Sequence, residues 1–182
     1  MIVDESFAHS WQVEVLERRP LIVPSRQFVY PRDAEEVERG ALELLVRPEK
    51  GLPFLATCAL GFADAQVPSG VWACPNSDVL CAVAGGYAYW IDTADPIQFQ
   101  QISFRPALLV RPVVEHELLL FGGHHSLEAW GREGRVWESP RLSWEGFQIM
   151  EVSGDLLHGK GWDLMTDSDV TFTVDLRTGE KV

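Results

Sequence analysis

Asp78–Pro96 reads DVLCAVAGGYAYWIDTADP, two apolar runs on either side of the pair Gly85–Gly86. The first run is aliphatic with two valines, the second is rich in Tyr, Trp and Ile, and no charge intervenes between Val79 and Ile91. Such a segment is too short to span a bilayer as a helix. A pair of short β-rich runs with glycines between them predicts a β-hairpin.

The same grammar recurs. Glu117 opens ELLLFGGHHSLEAWGREGRVW, and Asp155 opens DLLHGKGWDLMTDSDVTFTVDLRTGE. Each starts at an acidic turn residue, runs through an apolar strand to glycine, and enters a second strand. From Asp78 the starts are 39 and then 38 residues apart, a spacing that predicts a repeated supersecondary unit. Outside these units the dominant signal is again alternation with period two. In WQVEVLE (Trp11–Glu17) Val13 and Val15 share one face, and FLATCALGF, ALLVRPVV and FQIMEV are equally short and β-rich. One segment differs. RDAEEVERGALELLV places Asp33 three residues before Glu36, the spacing of a capping box, so a short helical turn is expected over 33–39. Gly40 ends it, and 41–59 then reads as two strands joined by a charged turn at Glu49–Lys50–Gly51.

The predicted fold is therefore all-β: an antiparallel meander of hairpin units of about 39 residues. The units are expected to pack as two sheets or a partly open barrel, with one short helix near 33–39. No linker or charge block divides the chain, so residues 1–182 are expected to form one domain. Within it, 1–70 supply N-terminal strands and the short helix, and 71–182 the three hairpin units.

The closing VDLRTGE (Val174–Glu180) resembles the Asp-x-x-Thr-Gly turn of quinoprotein-type β-propeller repeats, and AWGREGRVW (Ala129–Trp137) is similar but shorter. Three blades are too few for a propeller, which closes with about four to eight. The run from Phe54 to Pro96 also resembles a set of small bacterial proteins of uncharacterised function, a resemblance that implies no activity.

Charge narrows the partners. Acidic residues outnumber basic ones 27 to 15, a formal net charge of −12. A phosphate backbone would be repelled by that field, so no nucleic-acid partner is expected. The N-terminal MIVDESFAHSWQVEV has no basic region followed by an apolar stretch, so neither a signal peptide nor a membrane partner is expected. Three cysteines without a CxxC pair fit unpaired thiols in a reducing cytoplasm.

Candidate site residues cluster near GGHHSLEAWG. When the glycine pairs of the first two units are aligned, Ala88 meets Leu127 and Trp90 meets Ala129. His124 and His125 then form a two-residue insertion at a hairpin tip. His116 lies at the far end of the preceding strand, too distant to share a metal, and no metal or cofactor is expected. Ser126, Ser139 and Ser143 lack a G-x-S-x-G elbow. Asp163, Asp167 and Asp169 lack the D-x-D-x-D-G pattern of a calcium loop. Aromatic residues near strand ends are the remaining signal: Trp130, Trp137, Trp144 and Trp162, with Tyr87, Tyr89 and Trp90. The binding candidates are His124, His125, Glu128, Trp130 and Trp137. They predict a non-enzymatic cytoplasmic binding module that contacts a protein partner through an aromatic-bearing face. The alternative is a small-ligand binder or enzyme with its site near the 122–131 hairpin.

Overall fold

Strands account for nearly all the regular structure, with two short 3-10 turns besides. The computed structural model describes residues 1–32, 34–61 and 67–182, the side chains of 34–36 excepted. Its chain divides into two compact units, Met1–Ala107 and Leu108–Val182. Each unit carries two sheets.

In the first unit one sheet runs in the order β1 (Ile2–Asp4), β6 (Gly70–Ala73), β7 (Val79–Ala84), β8 (Tyr87–Asp92), β9 (Phe99–Gln101). The opening stretch is its central hairpin, with rungs from Val79↔Asp92 to Ala84↔Tyr87. Gly85 and Gly86 close it with φ of 55° and 82°. Two successive positive φ values suit the right-handed twist of the flanking strands, and glycine adopts them without a Cβ penalty. Every residue of β7 is buried, which is why the run is apolar without alternation.

The second sheet runs β2 (Trp11–Leu16), β4 (Ala41–Pro48), β5 (Phe54–Ala59), β3 (Gln27–Tyr30). The expected β4–β5 hairpin forms, as does the helical turn before it, a 3-10 helix over Ala34–Arg39. The proposed Asp33–Glu36 cap lies outside the described residues. Two pairings depart from the antiparallel pattern: β1 with β6 and β3 with β5 run parallel. Period-two alternation tells which face a residue takes but not the direction of the neighbouring strand.

Polar tips of buried aromatics join these two sheets. Trp11 Nε1–H donates to the Val79 carbonyl at 3.1 Å, and the Tyr89 hydroxyl to the Ala59 carbonyl at 2.9 Å. Cys58, Cys74 and Cys81 are free and fully buried, and desolvation pushes their thiols above the ordinary range. They are structural groups, since the nucleophile is the thiolate.

In the second unit β10 (Leu109–Val113), β11 (Leu118–Gly122), β12 (Leu127–Gly131) and β13 (Gly134–Glu138) form a four-stranded meander. The other sheet is β14 (Phe147–Ser153), β15 (Leu156–Asp163) and β16 (Ser168–Asp175). The two share one core, in which Leu120, Leu127 and Trp137 meet Leu157, Phe172 and Val174. The tail 181–182 begins a further rung beside β16, through the Val174↔Lys181 bridge and a Val182 N–H bond to the Thr173 carbonyl.

The closing VDLRTGE folds as a tight turn. Gly179 N–H donates to the Asp175 carbonyl at 2.8 Å, and the Arg177 guanidinium bonds both Asp175 carboxylate oxygens at 3.0 and 2.7 Å. Those charge-assisted bonds hold the Asp175 carboxyl down at about 2. An unfolded aspartate titrates near pH 3.9. A lowered folded value gives a contribution that is complete above the unfolded value and lost as pH falls towards 2. A carboxyl-carbon NMR titration should therefore place Asp175 at about pH 2. A midpoint at the ordinary value would mean the Arg177 bonds do not form.

Among the described residues, no helix is long and apolar enough to cross a membrane.

Candidate functional site

The histidine pair sits at a hairpin tip, and the structure refines how. Rungs pair Val83 with Ala88 and Gly122 with Leu127, so Ala88 does correspond to Leu127 at an offset of 39. Gly123 N–H then donates to the Ser126 carbonyl at 3.1 Å, one step nearer the tip. His124–His125 thus occupies the place of Gly85–Gly86 and is not an insertion beyond a matching glycine pair. Aligning the glycines misled because glycine serves different ends in the two hairpins. Gly85–Gly86 makes the turn itself, whereas Gly122 is a strand residue whose missing Cβ leaves room for Phe147, which would lie 3.1 Å from it.

Both histidine side chains are exposed, with ring centroids 6.1 Å apart. Their carbonyls are engaged. That of His124 accepts from Gly146 N–H at 2.8 Å, and that of His125 from Leu142 N–H at 2.7 Å. The tip therefore anchors the segment 142–146, with the imidazoles facing solvent. His116 ends a 3-10 turn at the other end of β11 and bonds Asp155 through Nε2 at 3.0 Å. Among the described residues no three His, Cys, Asp or Glu side chains converge as a metal site.

The other candidates lie inside. Glu128 is 1% exposed in β12, with Arg135 at 3.5 Å balancing its carboxylate. A buried carboxylate needs such a partner. Trp130 is buried, edge-on to Phe121 with centroids 6.4 Å apart. Trp137 is buried too. Its Nε1–H donates to the Leu176 carbonyl at 2.7 Å, and its ring lies against Gly179, where a Cβ would come within 2.7 Å. The structure does not bring these three to the surface beside the histidines.

Of the seven tryptophans, Trp11, Trp72, Trp90, Trp130 and Trp137 are buried, leaving Trp144 and Trp162 for an aromatic face. Backbone joins these two: Trp144 N–H donates to the Trp162 carbonyl at 2.9 Å. Ser143 completes the junction. Its hydroxyl donates to the Trp162 carbonyl and accepts from Trp162 N–H at 2.9 Å, which makes it a buried joint between the two segments. Trp144 is 40% exposed and carries the Arg141 guanidinium 4.4 Å above its ring.

Trp162 lies on the outward face of the β14–β15–β16 sheet. Alternation along β15 sends Leu157 inward and His158, Lys160 and Trp162 outward. Cross-strand neighbours complete the rows: Glu151, His158 and Thr173, then Gln148, Lys160 and Thr171, then Trp162 and Asp169. His158 Nδ1 shares a hydrogen bond with the Thr173 hydroxyl at 3.1 Å, and Lys160 pairs with Asp169 at 2.7 Å. Asp163 is a turn cap for Met165 N–H and Thr166 N–H. The acidic trio of 163–169 is therefore divided between hairpin geometry and this pairing.

Two hollows lie along the face. One, of about 340 Å³, is lined by Glu145, Phe147, Gln148, Lys160, Trp162 and Asp169, and reaches Gly146, the residue bound to the His124 carbonyl. The other, of about 510 Å³, is lined by Met150, Glu151, His158, Gly159, Phe172 and the threonines of β16. Both volumes fall in the range of ligand sites, about 300–1,000 Å³. Aromatic, carboxylate, amide and hydroxyl groups on an open surface suit recognition by contact. Sequence reasoning set Trp144 and Trp162 level with the other tryptophans. The missed signal was their neighbours, since SWEG and GKGWD put each beside turn-forming or small polar residues rather than within an apolar run.

No protein-family model matches the chain, and no curated protein matches it either.

Proposed function

We propose that the chain is a non-enzymatic binding module that engages a protein partner across the outward face of β14–β15–β16, with Trp144 and Trp162 as anchors. The observation that carries this reading is the outward sheet face, where half-buried Trp162 lines one hollow and a second opens at Met150, Glu151 and His158. Tryptophan supplies large rigid contact area and is enriched among residues that dominate binding energy. Three free, buried thiols support a cytoplasmic setting for the module.

The same reading treats the hairpins β7–β8, β11–β12 and β15–β16 as copies of one blade-like unit, as the quinoprotein resemblance implies. Its support is the 39-residue offset between the rungs Val83–Ala88 and Gly122–Leu127, and the seating of Trp137 on the Asp175–Gly179 turn.

Peptides selected from a random phage-displayed library on the full chain test the binding face. Enriched peptides should lose about thirtyfold in affinity on Trp144→Ala with Trp162→Ala, the ratio expected from about 2 kcal/mol at an interface anchor. His124→Ala with His125→Ala should change affinity less than about threefold, as rim substitutions outside an interface centre do. Peptides indifferent to both tryptophans would remove this reading. Large stabilisation by a small metabolite that the tryptophan variants abolish would favour the ligand-site alternative.

A further inference from the structure

Resting on that reading, we infer that the protein partner presents an arginine, whose guanidinium stacks on the Trp162 ring and pairs with Glu145 in the smaller hollow. The two tryptophans of the face differ in one respect. Trp144 already carries a cation of its own chain, the Arg141 guanidinium 4.4 Å above its ring. Trp162 is half-buried and lines the hollow of about 340 Å³, and among the described residues no cation lies over its ring. Indole is the side-chain ring that attracts a cation most strongly.

Glu145 supplies the counter-charge. It lines the same hollow, is exposed, and makes no ion pair among the described residues. Its backbone is held on both sides. Trp144 N–H donates to the Trp162 carbonyl at 2.9 Å, Glu145 N–H to the Ser143 hydroxyl at 3.3 Å, and Gly146 N–H to the His124 carbonyl at 2.8 Å. Three successive bound amides fix the base of this side chain before a partner arrives, which lowers the ordering entropy that docking costs.

The other charges of the hollow cancel, since Lys160 and Asp169 pair at 2.7 Å between β15 and β16. Glu145 therefore leaves the hollow with an unbalanced negative charge. Its neighbourhood has little to neutralise it. From Leu142 onward the only lysines and arginines are Lys160, Arg177 and Lys181, and Arg177 is engaged by Asp155 and Asp175. A cationic partner is the electrostatic complement of this site, and the net charge of −12 would steer it inward. Arginine suits the pair of groups better than lysine. Its planar guanidinium stacks on an aromatic face while its N–H fork donates to a carboxylate.

Peptides enriched from the phage-displayed library on the full chain test this by titration calorimetry. Each is resynthesised with its arginines replaced one at a time by citrulline, the uncharged isostere. One arginine should prove critical, its replacement weakening binding by at least about tenfold. Glu145→Gln should weaken the parent peptide by about tenfold but the citrulline peptide by less than about twofold, because both changes remove the same pair. Trp162→Leu, which keeps an apolar side chain and removes the ring, should cost a similar factor. Glu145 is exposed, so its arm of the test stands even if the tryptophan variant unfolds. Peptides without a critical cation overturn the inference, as does a critical arginine whose replacement adds in full to Glu145→Gln. If such peptides still need Trp144 and Trp162, the proposed function stands and only the cationic partner falls.

Discussion

Replacing Trp137 with alanine should lower stability by about 3–5 kcal/mol, the range for deleting a buried tryptophan or phenylalanine. Three losses coincide there. The side chain is 8% exposed in the core of the second unit. Its indole N–H satisfies the Leu176 carbonyl at 2.7 Å, which would lose its partner. Its ring is also the surface on which Gly179 rests, so the turn that carries Arg177 and Asp175 loses its floor. Urea unfolding followed by tryptophan fluorescence measures the loss, with amide exchange at 174–182 as a local readout. A loss under about 1 kcal/mol would show that Trp137 is no structural element.

A methyl group at Gly159 should act from the opposite direction, by excess volume. In β15 the added Cβ would lie 2.2 Å from Phe172 Cζ and 2.8 Å from the Gln148 carbonyl oxygen. Phe172 has little room to yield, since it is 3% exposed and packs edge-on to Phe147 with centroids 5.8 Å apart. Gly159→Ala should therefore cost about 1–3 kcal/mol, the usual penalty of overpacking. The gain of about 0.4–1 kcal/mol from a stiffer unfolded chain does not offset it. Urea unfolding of the variant measures the balance, and unchanged or increased stability would contradict the packing described.

Much of the strand content could be read from the sequence because the deciding forces are local. Alternation in WQVEVLE, the apolar runs around Gly85–Gly86 and the charged turn at 49–51 each specify a strand or hairpin without reference to distant residues. Partner choice is not local. Nothing in IVD or QFVY shows that Ile2–Asp4 and Gln27–Tyr30 pair parallel to their neighbours. Those strands find their places through contacts far along the chain, where loop closure and burial decide.

The site was less legible for a related reason. Composition shows that tryptophans and histidines are present, but exposure depends on which face of which sheet they meet. Trp130 and Trp137 stand within strands whose partners cover them, whereas Trp144 and Trp162 stand where a strand meets a polar turn. Glu128 shows the same limit: its charge suggested a surface, and its burial beside Arg135 places it within the unit. The paired histidines, the most conspicuous feature of the sequence, fasten the neighbouring segment with their carbonyls alone.

That last detail bears on how the protein can change. Any residue offers a carbonyl, and neither His124 nor His125 needs a positive φ. The identity of the two side chains is thereby uncoupled from the hydrogen bonds that hold 142–146. The tip can diverge, or accept a randomised pair in a laboratory library, while its anchorage persists. Beside a groove floored by Gly146 and Gly161, it is a position where new specificity can be installed at little cost to folding.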